Sequence, residues 1–357
     1  MKADTITKSY VRNADIFADI FNYYIYGGEQ VIQPEQLAEK DPAEIALPYG
    51  GDGAVLPVQK YRDLQKLYAV MRDGQAEYRL CGVELQSEVH YAMAVKNNLY
   101  DALEYAGQVE EAARAHRLER ENRRRHPEAY REQPKEKPNS GEFLSGFWRS
   151  DRLIPSVTLC VYFGAEEWDG PLSLFGMMEE IDPRFRACMT DYHVHLIAPA
   201  LLCDEEIMKF RSSLREVLLF IKYSKDKNAL EKMIEAHRER YRWLERRAAD
   251  VIKAVTNADI KYDEGEEHVD MCQAIQDMRK ESWDNGKAEG RVEGRAEGRA
   301  EGRAEGRAEG KAEGIAIGET QKAQQMAKNF YEMGIDVERI AQGVGYGLET
   351  VRQWLGL

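Results

Sequence analysis

No apolar run in this chain approaches the ~20 residues that a bilayer-spanning helix requires; the longest, such as Val157 to Gly164, stops far short. The opening residues, MKADTITKSYVRNADIF, lack the apolar h-region of a signal peptide. Cysteine is sparse: Cys81, Cys160, Cys188, Cys203 and Cys272 lie far apart, form no CxxC pair and are odd in number. A reduced, cytoplasmic chain with buried thiols is expected, not a disulfide scaffold. A glycine-rich phosphate loop and a GxSxG elbow are also missing. His193 and His195 in DYHVHLIAP share a strand face, but no cysteine or third histidine stands at zinc spacing from them, so a structural role is expected. Net positive charge is absent: −13 overall argues against a general nucleic-acid coat protein. What remains is a chain of 357 residues, 43% hydrophobic and 32% charged, long enough for two or three domains and a sizeable core.

Along the chain, residues 10–26 place apolar side chains at 16, 17, 20, 21, 24 and 25, which is helical spacing, and Gly27-Gly28 ends the run. Asp15 and Asp19 fall one turn apart on that helix. Residues 61–86 read as a hairpin around Asp73-Gly74, the favoured pair for a two-residue type I′ turn. In that register opposed residues sum to 147, so Asp63 faces Glu84, with Cβ atoms ~5 Å apart. Gln86 shares their face by the period of two. Residues 88–118 form a further helix, which gives way to a basic insertion bounded by prolines. From Arg114 to Pro138 nine Lys/Arg stand against five Asp/Glu, and 119–140 is expected to be mobile. The apolar, β-branched stretch 153–163 suits a central buried strand. Trp148, Trp168 and Phe163 read as core.

The order helix, hairpin, helix, strand predicts an α/β domain over 1–204. A helical region follows over 205–285, with amphipathic helices at 205–222 and 226–256. Residues 286–314 repeat every four residues as AEGR, with seven Glu and seven Lys/Arg. Like charges stack in i,i+4 rows, and each repeating glycine costs about 0.8–1.0 kcal/mol against alanine in a helix. The tract is either a flexible or weakly helical spacer or a means of homo-oligomerisation, Glu row against Arg row. Residues 315–357 close the chain with three short helices in an arrangement like helix-turn-helix. Phe330, Ile335, Ile340, Val351 and Trp354 supply a small core, while Glu349 beside the lone Arg352 weakens a DNA-reading role for the last helix.

Asp63, Glu84 and Gln86 raise a chemical question. Two carboxylates on one face repel unless a cation or proton sits between them, and such pairs hold Mg²⁺, which takes one or two carboxylates plus water and phosphate oxygens. The bland alternative is an ordinary polar hairpin edge.

Four blocks in order, NADIFADIFNYYIYGGEQVIQPEQL, YRDLQK, GVELQSEVHYAMAVKNNLYDALEY and GEFLSGFWRSDRLIPSVTLCVYFGAEEWDGPLSLFGMM, resemble the Rpn family. These are recombination-promoting nucleases, also classed as transposases, of the PD-(D/E)XK restriction-endonuclease-like fold; the AEGR tail fits the family too. The resemblance spans roughly residues 10–315. It implies an α/β nuclease core with a helical C-terminal region and a low-complexity tail, acting as a Mg²⁺-dependent DNA endonuclease. It makes Asp63 and Glu84 the metal-binding acids and Asp19, less surely Asp15, the helical acid. Gln86 takes the place of the usual lysine; it has no charge to offer and cannot serve as a base near neutral pH, and Lys96, on the following helix, is a substitute that reaches back. An inactive DNA- or protein-binding relative, or a purely structural assembly protein, are the competing expectations.

Overall fold

The computed structural model describes residues 3–40, 43–46, 58–61, 63–72, 75–131, 137–258, 260–263 and 265–357. The chain opens with α1 (Ala3–Val11) and α2 (Ala14–Tyr26). The helix expected over 10–26 is thus two helices, parted where Asn13 Nδ2 donates to the carbonyls of Tyr10 (2.8 Å) and Ser9 (3.2 Å). Side chains that hydrogen-bond nearby backbone compete with helix continuation in this way. Gly27 ends α2 at φ 63°, with its N–H on Tyr23 O and that of Gly28 on Asn22 O; this left-handed position favours glycine.

Strands β1 (Leu37–Glu39), β2 (Ala43–Ala46), β3 (Val58–Tyr61), β4 (Leu64–Arg72) and β5 (Gln75–Gln86) follow, then α3 (Met93–Arg125) and α4 (Ser140–Ser145). After them come β6 (Ser156–Tyr162), α5 (Pro183–Arg186) and β7 (His195–Ile197). The main sheet has the order β1-β4-β5-β6-β7. β1, β4 and β5 are antiparallel neighbours, while β5, β6 and β7 run parallel. Parallel neighbours need a long crossover, and α3 lies in the one between β5 and β6. The β4–β5 pairing runs from Leu64↔Val83 to Arg72↔Gln75, so opposed residues sum to 147 as the turn chemistry predicts. Asp73-Gly74 themselves lie outside the described residues.

The two faces of the sheet differ. Cys81 and Val83 of β5 and Leu159 and Val161 of β6 join the larger core with Phe17 and Phe21 of α2. Cys160 and Tyr162 of β6 face the other way and pack with Met93 and Ala94 of α3. β6 is buried from Thr158 to Tyr162, the central strand its composition predicts.

The chain continues through α6 (Asp204–Ile207), α7 (Leu214–Tyr223), α8 (Lys227–Ala236), α9 (Arg238–Arg242), β8 (Leu244–Glu245), α10 (Arg246–Thr256) and β9 (His268–Val269). Both long helices expected in this region are interrupted, the first across 208–213 and the second around β8, which pairs with β9. Nor is there a domain boundary at 204. Phe210, Val217, Ile252, Met271 and Ile275 belong to the same core as the sheet, and residues to Met278 form one compact unit. The basic insertion is more ordered than expected. α3 runs on to Arg125, with Glu119–Arg123 and Glu121–Arg125 ion pairs at i,i+4, the spacing that supports a helix. Only 132–136 of that stretch lie outside the described residues.

The second unit spans Arg279–Leu357. It contains most of α11 (Met271–Glu332), followed by α12 (Val337–Val344) and α13 (Leu348–Leu355). The AEGR tract is helical throughout, and every residue from 286 to 314 is exposed. Ala327, Ile340, Ala341 and Val351 are buried, with Phe330 and Trp354 packed against them. Ile335, expected in this core, is 37% exposed, because it falls in the turn between α11 and α12. Among the described residues no helix is long and apolar enough to cross a membrane.

Candidate active site at the open end of the hairpin

Glu84 sits opposite Cys160 in the β5–β6 register. It therefore belongs to the sheet face covered by α3, by the strand's period of two. Its side chain is 1% exposed. Asp63 immediately precedes β4, across the hairpin. The two acids grip each other's strands. Asp63 Oδ2 accepts from the Leu85 N–H (3.0 Å), and Glu84 Oε1 accepts from the Asp63 N–H (3.4 Å). Side-chain oxygens thus extend the strand ladder beyond its last backbone pair.

The carboxylates are not a bare repulsive pair. Lys96, one turn into α3, brings its ammonium 2.6 Å from Glu84 Oε2, an ion contact that lies off good hydrogen-bond angles. Lys8 of α1 stands 3.7 Å from Asp63 Oδ1. Burial raises the Glu84 pKa above its ordinary 4.5; Lys96 pulls it down, and Asp63 pushes it up. Burial disfavours charge on Lys96, but Glu84 outweighs this and its pKa rises above 10.5. Lys96 is therefore a fixed positive charge at neutral pH, not a base.

Asp63 and Lys96 open into a cavity of about 420 Å³ lined also by Gln86, by Asp4 and Thr7 of α1, and by Ser87 and Glu88. Of the four residues singled out from sequence, Asp63 and Gln86 line this cavity, and Glu84 is buried in contact with Asp63 and Lys96. Asp19 does neither. It is 2% exposed, and its carboxylate accepts from Arg211 N–H (2.9 Å), Ser212 N–H (2.8 Å) and Ser212 Oγ–H (2.6 Å). It ties down the chain just before α7. Asp15 is likewise engaged elsewhere, with Arg247. The acid that a helix does bring to the cavity is Asp4, whose Oδ1 lies 3.4 Å from Ser87 Oγ. It was missed because α1 was not recognised; the signal was present in Thr7, Tyr10 and Val11, which are buried at i, i+3 and i+4.

Asp19→Ala is accordingly expected to cost about 2–4 kcal/mol of stability, since it strands buried donors that face a charge. Urea denaturation measures this. An Asp19→Asn protein of unchanged stability that had lost cleavage would instead give Asp19 a direct role.

The histidines take up structural contacts. His195 Nδ1 is 3.1 Å from the Tyr24 hydroxyl, and His193 Nε2 is 3.5 Å from Asp191. Phe163 and Trp168 are core residues, and Trp148 stacks on His116 at 4.0 Å. Among the described residues no group of three or more His, Cys, Asp or Glu converges as a metal cage. Two hard carboxylates are a donor type that suits Mg²⁺, which keeps several waters instead of taking an all-protein shell; of the two, Asp63 lines the cavity, while Glu84 is 1% exposed with Oε1 on the Asp63 N–H and Oε2 beside Lys96. Comparison with family models, with curated proteins and with solved structures returns no match for this chain.

Proposed function

We propose that the cavity is the centre of a metal-dependent DNA endonuclease of the PD-(D/E)XK type, hydrolysing phosphodiester bonds in recombination or against foreign DNA. The observation that carries this reading is the convergence of Asp63, Glu84 and Lys96 from two strands and a helix. Two acids and a lysine at the end of a sheet would suit hydrolysis of a phosphodiester. Asp63 and Glu84 would hold Mg²⁺, which when bound neutralises phosphate charge and lowers the pKa of a water. Lys96 presents a permanent cation where negative charge builds up on the phosphate. Gln86, on the same face, orients a water by hydrogen bonding. The chain thus supplies from α3 the charge that Gln86 lacks.

An inactive DNA- or protein-binding relative is the second reading. It is favoured by the near-complete burial of Glu84 against Lys96, an arrangement that is already charge-balanced. Plasmid nicking with Mg²⁺ and with EDTA separates the two.

The repeat tract is helical and exposed throughout and holds no apolar stripe. Deleting 286–314 is expected to leave cleavage of short DNA within a few-fold of the full chain. A folded but inactive deletion protein, judged by its melting transition, would give the tract a catalytic part.

A further inference from the structure

We infer that the interface between α3 and the sheet encloses an internal water-binding site, with the side-chain amide of Asn97 as its principal ligand. Asn97 is not among the residues that line the cavity, and the site stands independently of the nuclease reading.

Helical spacing places Asn97. Asn97, Asp101, Glu104 and Gln108 recur at i, i+4, i+7 and i+11 on α3 and so form one stripe of the helix. The last three members of the stripe meet the sheet or the segment that leads into it. Thr158 Oγ1 donates to Asp101 (2.9 Å), and Gln65 Nε2 donates to Glu104 (3.0 Å). Gln108 accepts from the Ile154 N–H (2.7 Å) and donates to its carbonyl (3.2 Å). Lys96 meets Glu84 late in β5, whereas Gln108 meets Ile154 just before β6, so α3 runs antiparallel to both strands. One turn back from Asp101, the stripe therefore passes over the stretch of sheet between Thr158 and Glu84, and this is where Asn97 lies.

That stretch is short of side chains. Gly82 shares a face with Glu84 by the period of two and stands between Gln65 and Thr158 in the register. It is buried, and a glycine inside a strand leaves room for another group to approach the backbone. The preceding turn of α3 packs through Met93 and Ala94 in one apolar cluster with Cys160 and Tyr162; at Asn97 an amide interrupts that apolar contact.

Asn97 is 0% exposed. Among the described residues neither its Oδ1 nor its Nδ2 has a hydrogen-bond partner, and Gln65 Oε1 has none either. Buried polar groups are almost always hydrogen-bonded. The amide has an acceptor and a donor to satisfy together. A cation would serve only its oxygen and an anion only its nitrogen, whereas water serves both. Internal waters take up such groups, each with about three hydrogen bonds.

The test compares the full-length wild type with Asn97→Leu and Gly82→Ala. Leucine keeps the branched outline of asparagine and removes both polar atoms, while Gly82→Ala sets a methyl group beneath the stripe. Crystal structures of wild type and Asn97→Leu are determined, and all three proteins are unfolded in urea. Wild type is expected to show a water within ~2.7–3.2 Å of both Asn97 Oδ1 and Nδ2. That water should be lost in Asn97→Leu, and the urea midpoint should fall in both variants. A wild-type structure with no water there, or with a protein group bonded to the amide instead, would overturn the inference even if neither variant folds. So would an Asn97→Leu midpoint at or above that of wild type, because replacing an unpaired buried amide by an apolar group of the same outline is neutral or stabilising. An unchanged or raised midpoint in Gly82→Ala would count equally against it, since nothing would then be displaced from beneath the helix.

Discussion

Asp63→Ala and Glu84→Ala are each expected to lower the DNA cleavage rate by at least ~10³-fold, about 4 kcal/mol of barrier, and to weaken Mg²⁺ binding measured by calorimetry. The two acids are the proposed metal donors, and each also fastens the other's strand. Their effects on stability should differ. Asp63 is a third exposed, and losing it frees Lys8 and the Leu85 N–H near solvent, a small cost. Glu84 is buried against Lys96, so Glu84→Ala leaves a partly buried ammonium without its partner. Glu84→Gln keeps the shape and removes the charge, and is the cleaner variant for the metal measurement. Full activity in either alanine variant would remove these acids from the site.

The pH dependence follows from burial. Glu84 has its pKa raised above 4.5 in the folded chain, so the folded state holds that proton more tightly than the unfolded one. Its contribution to stability is present below about 4.5 and is lost as pH rises through the folded value. This direction holds for the metal-free protein; a bound Mg²⁺ would favour the ionised carboxylate and lower the value.

Lys96→Gln is expected to reduce cleavage by ~10²–10³-fold while DNA binding stays within a few-fold, because one electrostatic stabiliser at a developing charge is worth this much. Without the ammonium that pulls its pKa down, Glu84 should titrate higher in the metal-free protein. Gln86→Ala should cost less, on the order of 10–100-fold, since it loses orientation and no charge. The exchange Gln86→Lys/Lys96→Gln supplies the decisive comparison: restoring a cation from the strand should recover at least tenfold over Lys96→Gln alone. No recovery, with both proteins folded, would place the requirement in the Glu84–Lys96 contact itself and not in the charge.

Much of this site could be read from the sequence because it depends on local rules. The Asp73-Gly74 dipeptide predicts the register that the flanking strands show, that register puts Asp63 across from Glu84, and the period of two aligns Gln86 with them. Lys96 could be nominated only as a substitute, since nothing in a sequence says which turn of α3 passes over β5. Asp19 shows the reverse failure. Its place on an apolar helix looked like a site acid, but a buried carboxylate serves equally well to satisfy backbone N–H groups, and its partners Arg211 and Ser212 are nearly two hundred residues away. Asp4 was hidden because α1 is short and its residues were weighed only as a signal peptide. The boundary near 204 failed for a physical reason too: amphipathic helices announce an apolar face but not what covers it, and here the sheet does.

The most direct test of the nuclease reading is plasmid nicking by the purified full chain across a Mg²⁺ titration, with EDTA and the Glu84→Gln protein as controls. Nicking that rises with Mg²⁺, vanishes in EDTA and is absent in Glu84→Gln is the expected result. Equal nicking by wild type and Glu84→Gln, or none by wild type at any Mg²⁺ concentration, would contradict it.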